Sequence, residues 1–313
     1  MKVIKDTNFN SAVEFLKHNF SSPTHWPDWN LVVSKHFKTD FFYFCAYEGN
    51  ELIGICPVHK QKKGILSYYK SGQFHFIPYG GWIFSRNVKY QKQLFPIDYF
   101  GHLQLFCLPV LKEFAFQAED NANKFKTLVL DLKDNLDTIW SKQVHSKRKN
   151  MIRKAEKNDI KIDIAKSFNN KFYEIYQKSS KRNDLNLLPF TFFSDLFESS
   201  LNISFEVISA VKDEEVIANV VIVHDKDYAV YWLGNSADNA PSLGQGELLQ
   251  WETIKRMKEN GCSYYDFCYI EKERLPHIYK FKSGFCKNEM NVPCITVKKL
   301  LFKVANKPSK YFQ

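Results

Sequence analysis

The chain has 313 residues, of which 44% are hydrophobic, including 28 Phe and 16 Tyr, and its formal net charge is +10. This length and this apolar content exclude a disordered chain and favour two domains over one. The positive charge favours anionic partners such as RNA, nucleotides, phosphorylated carriers or a membrane surface.

The seven cysteines are scattered and form neither a CxxC pair nor a Cys/His spacing typical of zinc. We therefore expect reduced thiols and no metal site, as in a cytosolic protein. The first residues, MKVIKDTNFNSAVEF, lack the apolar core of a signal peptide. The apolar runs at 41–47 and 103–111 are too short to span a bilayer. These features predict a soluble cytoplasmic protein and leave open peripheral association with the inner membrane face.

Two segments share one pattern of apolar runs around a short polar turn. Residues 43–60 read YFCAYEGNELIGICPVHK and residues 207–224 read VISAVKDEEVIANVVIVH. Both patterns predict antiparallel β-hairpins, and a helix-patterned segment precedes each of them. Two copies of one α/β unit explain this economically. Chance similarity between two hairpins is the alternative.

The segment HSKRKNMIRKAEKN, residues 145–158, carries six cationic side chains and one acid. Val144, Arg148, Met151 and Ala155 share one helix face, so we expect Met151 and Ala155 to pack inward. The lysines then form either a solvated helix face or a platform for tRNA or a phosphorylated carrier. The segment lacks stacking aromatics and has no helix-turn-helix or zinc pattern beside it. A stand-alone nucleic-acid binder and a DNA partner are therefore not expected.

Residues 240–270, APSLGQGELLQWETIKRMKENGCSYYDFCYI, predict a helix followed by a strand. The apolar residues that recur every three positions are Leu248, Trp251, Ile254 and Met257. The Asn-Gly pair at 260–261 is a typical helix end. Gly244 and Gly246 lie where the helix begins, where backbone N–H groups and the helix dipole can bind an anion.

The second hairpin continues into YAVYWLGNS, residues 228–236, which predicts a three-strand meander. Meander, glycine-containing turn, helix and strand follow one another in the order of the GNAT acyltransferase core. The segments HSKRKNMIRKAEKNDIKI, LLQWETIKRMKENGCSYYDF and IYKFKSGF together resemble the Fem-type aminoacyltransferases and their acyltransferase relatives. The former build peptidoglycan interpeptide bridges, and the relatives act in surface polysaccharide and lipid assembly. The resemblance covers roughly residues 20–290. The sequence departs from the family's phosphate turn, because Pro241 occupies its first position and Glu247 places a carboxylate where a pyrophosphate would lie.

The resemblance implies an α/β (α+β) fold of two tandem GNAT-like domains, each a mixed, mostly antiparallel sheet flanked by helices. The acceptor-side domain is expected at 1–138 with about 295–313, and the donor or catalytic domain at 139–294. No sustained heptad run is present, so the coiled-coil arm of some bridge enzymes is not expected.

The resemblance also implies candidate residues in the second half. The conserved pair of the family falls on Phe281 and Lys282, and the lysine is expected to assist donor binding and to stabilise charge at the reacting carbonyl. The alternative for Lys282 is a surface lysine. Asp266 is expected to orient the acceptor amine or take its proton, or else to be a structural partner of a backbone amide. The remaining donor-binding candidates are Gly244, Gly246, Lys147, Arg148 and Arg153.

In the first half, HFIPYGGWIFS at 75–85 resembles the substrate-side turn of the family, whose glycines would let an acceptor approach the backbone. Phe84 and Ser85 stand where some bridge enzymes carry an aspartate, so the acceptor is expected to differ from their peptide. The acceptor-binding candidates are Lys35, Tyr79, Gly80, Gly81, Trp82, Tyr231 and Tyr269.

These observations predict an acyltransferase that acts on an amine of a phosphorylated or lipid-linked cell-envelope precursor. The leading donor is aminoacyl-tRNA, and the alternative is an acyl-CoA or acyl-carrier thioester used on an amino sugar or lipid-precursor amine. A third alternative is a non-catalytic GNAT-fold binding protein. No tightly bound cofactor is expected. His25, His36, His59 and His75 have no metal spacing, and no GxSxG or Walker pattern occurs.

Overall fold

The computed structural model describes residues 1–72, 77–86, 88, 95–111, 125–199, 201–238 and 242–305. The chain divides into two compact units, of which the first comprises Met1–Phe125 and Asn291–Gln313 and the second Lys126–Met290. His75 of the first-half turn and Pro241 of the phosphate turn lie outside the described residues. Among the described residues, no helix is both long enough and apolar enough to cross a membrane.

The first unit is built on a seven-stranded sheet. Its strands are β1 (Lys2–Asp6), β2 (Asp40–Glu48), β3 (Glu51–Lys63), β4 (Leu66–Ser71), β5 (Ile83–Phe84), β6 (Gly101–Phe106) and β14 (Cys294–Lys298). Their order is β1-β2-β3-β4-β6-β14, with β5 paired to β3. The helices of this unit are α1 (Asn10–His18), α2 (Pro27–Phe37) and α9 (Leu300–Ala305), and a 3₁₀ turn covers Pro23–His25. Helix α2 begins with Pro27, whose fixed φ suits the first helical position.

The second unit is also built on a seven-stranded sheet. Its strands are β7 (Lys126–Asp131), β8 (Lys161–Ala165), β9 (Ser204–Lys212), β10 (Glu215–His224), β11 (Tyr228–Ser236), β12 (Tyr264–Asp266) and β13 (Glu289–Asn291), in the order β13-β7-β12-β11-β10-β9-β8. The helices are α3 (Leu136–Lys142), α4 (Ser146–Lys157), α5 (Asn170–Arg182), α6 (Phe190–Glu198), α7 (Gln245–Glu259) and α8 (Pro276–Lys282). The predicted class, mixed and mostly antiparallel sheets flanked by helices, is confirmed.

The unit boundaries differ from the expected positions at 138/139 and 294/295. Strand β7 pairs with β12, so residues 126–131 belong to the sheet of the second unit. Strand β14 pairs with β6, so the chain returns to the sheet of the first unit. A short apolar strand such as KTLVLD carries no local mark of the sheet that it joins, which is why the sequence placed it in the first domain.

The two predicted hairpins are confirmed, and they agree in register. The bulk of each hairpin pairs regularly, and each has one irregularity beside its turn. In the first hairpin Ala46 pairs with Gly54, Tyr47 pairs with Leu52, and Ile53 is skipped. In the second, the corresponding pairs are Ala210 with Ala218 and Val211 with Val216, and Ile217 is skipped. A bulge at the same place in both hairpins supports a repeat over chance similarity.

The basic segment forms α4, whose first residue follows a His145 cap that accepts from the Lys147 N–H at 3.2 Å. Its buried residues are Ile152 and Ala155, whereas Met151 is half-buried. The predicted inward position of Ala155 is confirmed, but Ile152 rather than Met151 accompanies it, because the buried face is rotated toward Arg148. Strand β7 and helix α3 precede α4 in the second unit.

Helix α7 has the predicted apolar face. Leu248, Trp251, Ile254 and Met257 are buried in one core cluster with residues of the sheet. This fixes α7 across the sheet and places its first turn beside α4.

Candidate active site

Strands β11 and β12 run together for three residues and then part. They pair in parallel at Tyr228 with Tyr264, Ala229 with Tyr265, and Val230 with Asp266. Strand β11 continues to Ser236, while the chain after β12 stays with β7 through bonds from the N–H groups of Phe267 and Ile270, each of 2.9 Å. We call the opening between 231–236 and 267–270 the strand split.

The Lys282 side chain ends in the strand split. Its Nζ donates to the carbonyl of Tyr269 at 3.0 Å and to that of Cys268 at 3.5 Å. On the other side of the split it lies 5.5 Å from the centre of the Tyr231 ring. Lys282 is only 7% exposed, so the alternative of a surface lysine is excluded. The α8 helix therefore brings its last side chain to the point where the two strands diverge.

Burial lowers the pKa of Lys282, and the nearby Cys268, Asp266 and Glu271 oppose that shift. Burial also raises the pKa of Tyr231 to about 12, which keeps its phenol neutral. A lysine N–H group held in such a poorly solvated place interacts strongly with negative charge that develops on a substrate. Two of its donors are used on carbonyl oxygens, and an ammonium has three.

Asp266 lies at the vertex of the strand split and is fully buried. Its Oδ1 accepts from Thr127 Oγ1 at 2.5 Å and from the Cys268 N–H at 2.7 Å. Its Oδ2 accepts from the Tyr228 hydroxyl at 2.5 Å. This geometry favours the structural alternative, a carboxylate that holds a backbone amide, over an exposed proton acceptor.

Strand β11 also has an irregular geometry where the split begins. The pairing with β10 passes from Leu233 to Tyr231 and skips Trp232, which marks a bulge. A side chain on Gly234 would collide with the Tyr231 hydroxyl, so this glycine lets the tyrosine lie along its own strand. Bulges increase local twist and re-aim side chains, and here the bulge places Tyr231 beside Lys282.

The predicted phosphate turn is covered by α4. Gly244 caps α7 with a φ of 86°, and a side chain there would collide with the carbonyl oxygen of Met151. A Cβ on Gly246 would lie 3.7 Å from the Phe281 ring. Gly244 thus allows the α4 backbone to approach, and its conformation is explained without a bound phosphate.

Arg148 connects three helices of the second unit. Its Nη1 lies 2.6 Å from the Glu247 carboxylate in the first turn of α7, and its Nη2 donates to the Lys280 carbonyl at 2.8 Å. Its guanidinium lies 5.1 Å from the centre of the Phe281 ring. Arg148 was predicted to bind the donor, but these contacts already engage its charge.

The other cations of α4 differ in their surroundings. Lys154 donates to the Ser242 carbonyl at 2.7 Å, and Lys149 lies 5.5 Å from the centre of the Trp140 ring. Lys147, Arg153 and Lys157 are exposed. With Lys154, these three form the outer face of α4, opposite Ile152 and Ala155.

The acceptor candidates divide between the two units. Lys35 is exposed on α2 in the first unit. Tyr79 and Trp82 are also in the first unit, but they are buried in its interior. Tyr231 and Tyr269 belong to the second unit, where they are half-buried.

The glycines of the first-half turn bring strands together. The Gly80 N–H donates to the Phe106 carbonyl at 2.7 Å, and the Gly81 N–H donates to Ser71 Oγ at 2.8 Å. A Cβ on Gly81, which has a φ of 80°, would lie 2.6 Å from the Cys107 sulfur. The expected approach of an acceptor to these glycines is therefore replaced by a close approach of β4 and β6.

Phe84 stands at a position where some bridge enzymes carry an aspartate. Its ring stacks on Trp82 with centres 5.0 Å apart, and it covers Gly54, where a side chain would collide with it. His25 Nε2 lies 3.3 Å from the Gly81 carbonyl oxygen, and burial lowers the pKa of His25 to about 4. This turn is thus an apolar and uncharged part of the first unit.

Sequence reasoning missed Thr127, Tyr228 and Cys268. Thr127 and Tyr228 lie on strands distant in sequence from Asp266, and no spacing in the chain connects them. Cys268 adopts a φ of 58°, which is uncommon outside glycine, and nothing in DFCYI indicates it. Among the described residues, no group of three His, Cys, Asp or Glu side chains is placed to hold a metal ion.

Comparison with known proteins bears on this geometry. Residues 142–282 match the family described as an acetyltransferase (GNAT) domain, a span that includes α4, α7, the strand split and Lys282. This part of the second unit is thus similar to GNAT acetyltransferase domains. Its match ends at the lysine that enters the split. None of the curated proteins matches the chain in sequence.

Solved structures are similar to the chain over nearly its whole length. FemX superimposes with a TM-score of 0.65 at 10% identity, over 98% of this chain and 100% of FemX. The C-terminal domain of a proposed lysylphosphatidylglycerol synthetase from Agrobacterium fabrum has a TM-score of 0.59 at 10% identity, over 94% and 92%. A tandem GNAT protein from the clavulanic acid biosynthesis pathway has a TM-score of 0.53 at 9% identity, over 99% and 100%. The predicted fold, two GNAT-like domains in tandem, is confirmed.

Proposed function

We propose that this acyltransferase moves an aminoacyl group from aminoacyl-tRNA onto an amine of a cell-envelope precursor. The observation that carries the proposal is the position of Lys282, whose Nζ lies in the strand split between the carbonyls of Cys268 and Tyr269 and the Tyr231 ring. The names of the similar structures support an envelope acceptor, since they include FemX and a proposed lysylphosphatidylglycerol synthetase.

In the proposed reaction the acceptor amine attacks the ester carbonyl carbon of the donor. A C–N bond forms, and the carbonyl oxygen gains negative charge, which the remaining N–H donor of Lys282 stabilises. The ester C–O bond then breaks, the ribose hydroxyl of the tRNA leaves with a proton, and the amine loses one proton. The buried carboxylate of Asp266 takes no proton in this transfer, since its oxygens accept from three donors.

The first turn of α7 favours tRNA over coenzyme A as the donor carrier. The Glu247 carboxylate occupies this turn and is paired with Arg148, and α4 packs on Gly244. A pyrophosphate placed there would meet a negative carboxylate instead of free backbone N–H groups. The exposed outer face of α4 offers cations to the phosphates of an RNA instead.

The alternative is a thioester-dependent N-acyltransferase that acts on an amino sugar or a lipid-precursor amine, as in surface polysaccharide assembly. It is supported by the family match, whose description names acetyl transfer, and by the fold shared with the tandem GNAT protein. It requires coenzyme A or an acyl carrier to bind without the first turn of α7.

We further propose that the protein associates with the cytoplasmic membrane surface through the loop between α5 and α6. The loop is held in place, since the Tyr173 hydroxyl donates to the Leu188 carbonyl and the Leu188 N–H donates to the Tyr176 hydroxyl, each at 3.0 Å. Even so, Leu185 is 45% exposed and Leu187 is 49% exposed.

This exposed apolar surface is small. Leu185, Leu187 and the neighbouring Phe190 are far fewer than the roughly 20–30 residues per partner of a stable protein interface. A few apolar side chains beside the exposed Lys181 allow reversible insertion into a lipid headgroup layer. Arg182, at the end of α5, donates to the Ser236 carbonyl at 3.1 Å, so the loop lies at the far end of β11. A lipid-linked acceptor would then approach the open end of the strand split.

The donor assay tests the proposal. The purified protein is incubated with a cell-envelope acceptor extract and either labelled aminoacyl-tRNA or labelled acyl thioesters, with and without ribonuclease. We expect label transfer from aminoacyl-tRNA that ribonuclease abolishes. Transfer that requires the thioester and survives ribonuclease would support the alternative. Absence of turnover with every donor would support the non-catalytic binding protein.

A further inference from the structure

A continuous set of hydrogen bonds connects the vertex of the strand split to the Lys282 ammonium. Asp266 accepts from the Cys268 N–H at 2.7 Å, and the carbonyls of Cys268 and Tyr269 accept from Lys282 Nζ. The carboxylate therefore acts on one side of a two-residue turn, and the lysine binds to the other side.

The turn itself is held in an unfavourable conformation. Cys268 has a φ of 58°, in the left-handed region that a non-glycine residue adopts only at an energetic cost. Such a conformation persists when its surroundings overdetermine it. Here the Cys268 N–H is bound by Asp266, and two residues later the Ile270 N–H is bound by the Lys126 carbonyl at 2.9 Å.

Asp266 is suited to this task because its partners come from three adjacent parts of the sheet. Thr127 belongs to β7, Tyr228 belongs to β11, and the Cys268 N–H belongs to the turn that follows β12. All three are donors, so a carboxylate satisfies them together. The same carboxylate thus fixes both the spacing of the strands at the vertex and the direction of the turn.

We propose that Asp266 is a positioning residue, which holds the Cys268–Tyr269 turn so that its two carbonyls place Lys282 Nζ in the strand split. The proposal rests on the proposed function only in giving Lys282 a use in acyl transfer. The placement itself is a property of the protein without substrate. Through this placement the buried Asp266 carboxylate affects the reaction without contacting the acceptor amine.

Titration of Lys282 tests this placement without any substrate. The full chain is prepared with isotope-labelled lysine, and the Lys282 side-chain resonance is identified by its loss in Lys282→Arg. In the parent protein we expect it to titrate below the ordinary lysine value, since burial lowers its pKa. Asp266→Ala removes the acceptor of the Cys268 N–H, and Cys268→Val places a β-branched residue where φ is positive. Cys268→Val should move the titration of Lys282 back toward the ordinary value. Asp266→Ala should do the same, because the gain of solvent by a released Lys282 outweighs the loss of a nearby negative charge.

Two conservative variants serve as controls. Cys268→Gly accepts the same φ without strain, and Asp266→Asn keeps an oxygen for the Cys268 N–H while its amide can donate to the Tyr228 hydroxyl. Both should leave Lys282 titrating well below the ordinary value, with Asp266→Asn slightly lower than the parent because a nearby negative charge is removed. If Asp266→Ala does not fold, Cys268→Val carries the test.

Three results would overturn the inference. In the first, Lys282 of the parent titrates like an ordinary lysine; in the second, Lys282 of Cys268→Val titrates as in the parent. In the third, Lys282 of Cys268→Gly titrates like an ordinary lysine. A protein that passes these tests but transfers no acyl group would retain the positioning network and lose the proposed function. Failure of the positioning inference and failure of the proposed function are therefore distinguishable.

Discussion

The Arg148 guanidinium and the Glu247 carboxylate form an ion pair of 2.6 Å that joins α4 to the first turn of α7. Both side chains are largely shielded from water, with exposed fractions of 14% and 13%. One cation of the basic segment is thereby withdrawn from the solvent, and the anion-binding end of α7 is neutralised. The ion pair thus explains both Arg148 and the first turn of α7, two predicted donor-binding elements, as structural contacts.

Arg148→Ala should destabilise the second unit. It leaves the Glu247 carboxylate without its cation and removes a donor from the Lys280 carbonyl. Losing one partner of a largely buried pair costs about 2–4 kcal/mol. Urea unfolding measures this loss, and Lys147→Ala, one residue earlier on the exposed face, should cost at most about 0.5 kcal/mol. Equal stability of the two variants would show that the ion pair contributes nothing.

Lys282→Ala should reduce both activity and stability. Turnover should fall by roughly 10²–10³, a typical loss for one donor that stabilises an oxyanion. The carbonyls of Cys268 and Tyr269 lose their donor, so the free energy of unfolding should fall by about 1–3 kcal/mol. Lys280→Ala, on the exposed side of α8, is the matched control for both measurements. Parent-like turnover in Lys282→Ala would remove this lysine from the reaction.

Reversing the outer face of α4 should weaken RNA binding selectively. In a triple variant, Lys147, Arg153 and Lys157 are each changed to Glu, and Arg148 is left intact. If tRNA lies on this face, its affinity should fall, and the slope of log K against log salt should flatten by about 0.7–0.9 for each phosphate that the protein no longer neutralises. Filter binding at several salt concentrations measures the slope. The control variant reverses Lys62 and Lys63 on β3, and an identical slope in parent and triple variant would place the RNA elsewhere.

Glu206 should make the second unit sensitive to acid. Burial alone would raise the pKa of Glu206. Two hydrogen bonds from Arg256, of 2.5 and 2.7 Å, and the nearby His224 instead hold this pKa at about 2. This value lies below the ordinary 4.5, so the stabilisation is complete above pH 4.5 and is lost as the pH falls toward 2. Glu206→Gln should be less stable at pH 7 by on the order of 2–3 kcal/mol.

Urea unfolding from pH 7 to pH 2 checks this dependence. The difference between the parent and Glu206→Gln should narrow between pH 4.5 and 2, whereas Glu215→Gln, exposed at the start of β10, should follow the parent throughout. A pH-independent difference would mean that packing of the side chain, and not its charge, stabilises the unit.

The α5–α6 loop should bind anionic membranes. Changing Leu185 and Leu187 together to Ser should reduce the affinity for phosphatidylglycerol vesicles, measured by flotation, by about thirtyfold, because each leucine gains about 1 kcal/mol on burial of its exposed part. Ile65→Ser, at an exposed turn of the first unit, is the apolar control. Flotation of the parent that equals that of the double variant would exclude this loop as the membrane contact.

Part of the fold could be read from local pattern. The two hairpins, the apolar face of α7 and the Fem-like order of segments depend on alternation, helical periodicity and turn residues, which are local properties of the chain. The inward position of Ala155 followed from the same periodicity. These features need no knowledge of which strand lies beside which.

The chemistry of the split depended on contacts between distant residues. Thr127 and Tyr228 meet Asp266 because β7, β12 and β11 are neighbours in the sheet, an order that no local pattern expresses. The same holds for Arg148, whose partner Glu247 lies 99 positions further along the chain.

The sequence by itself determined the elements, their order and the presence of a lysine at the end of IYKFK. Only the tertiary structure decided that this lysine is buried in the strand split, that Asp266 is a structural partner and that the glycines of both predicted turns admit neighbouring backbones. The physical reason is that burial, pKa and the pairing of charges are set by what surrounds a side chain. That environment is assembled from segments far apart in the chain.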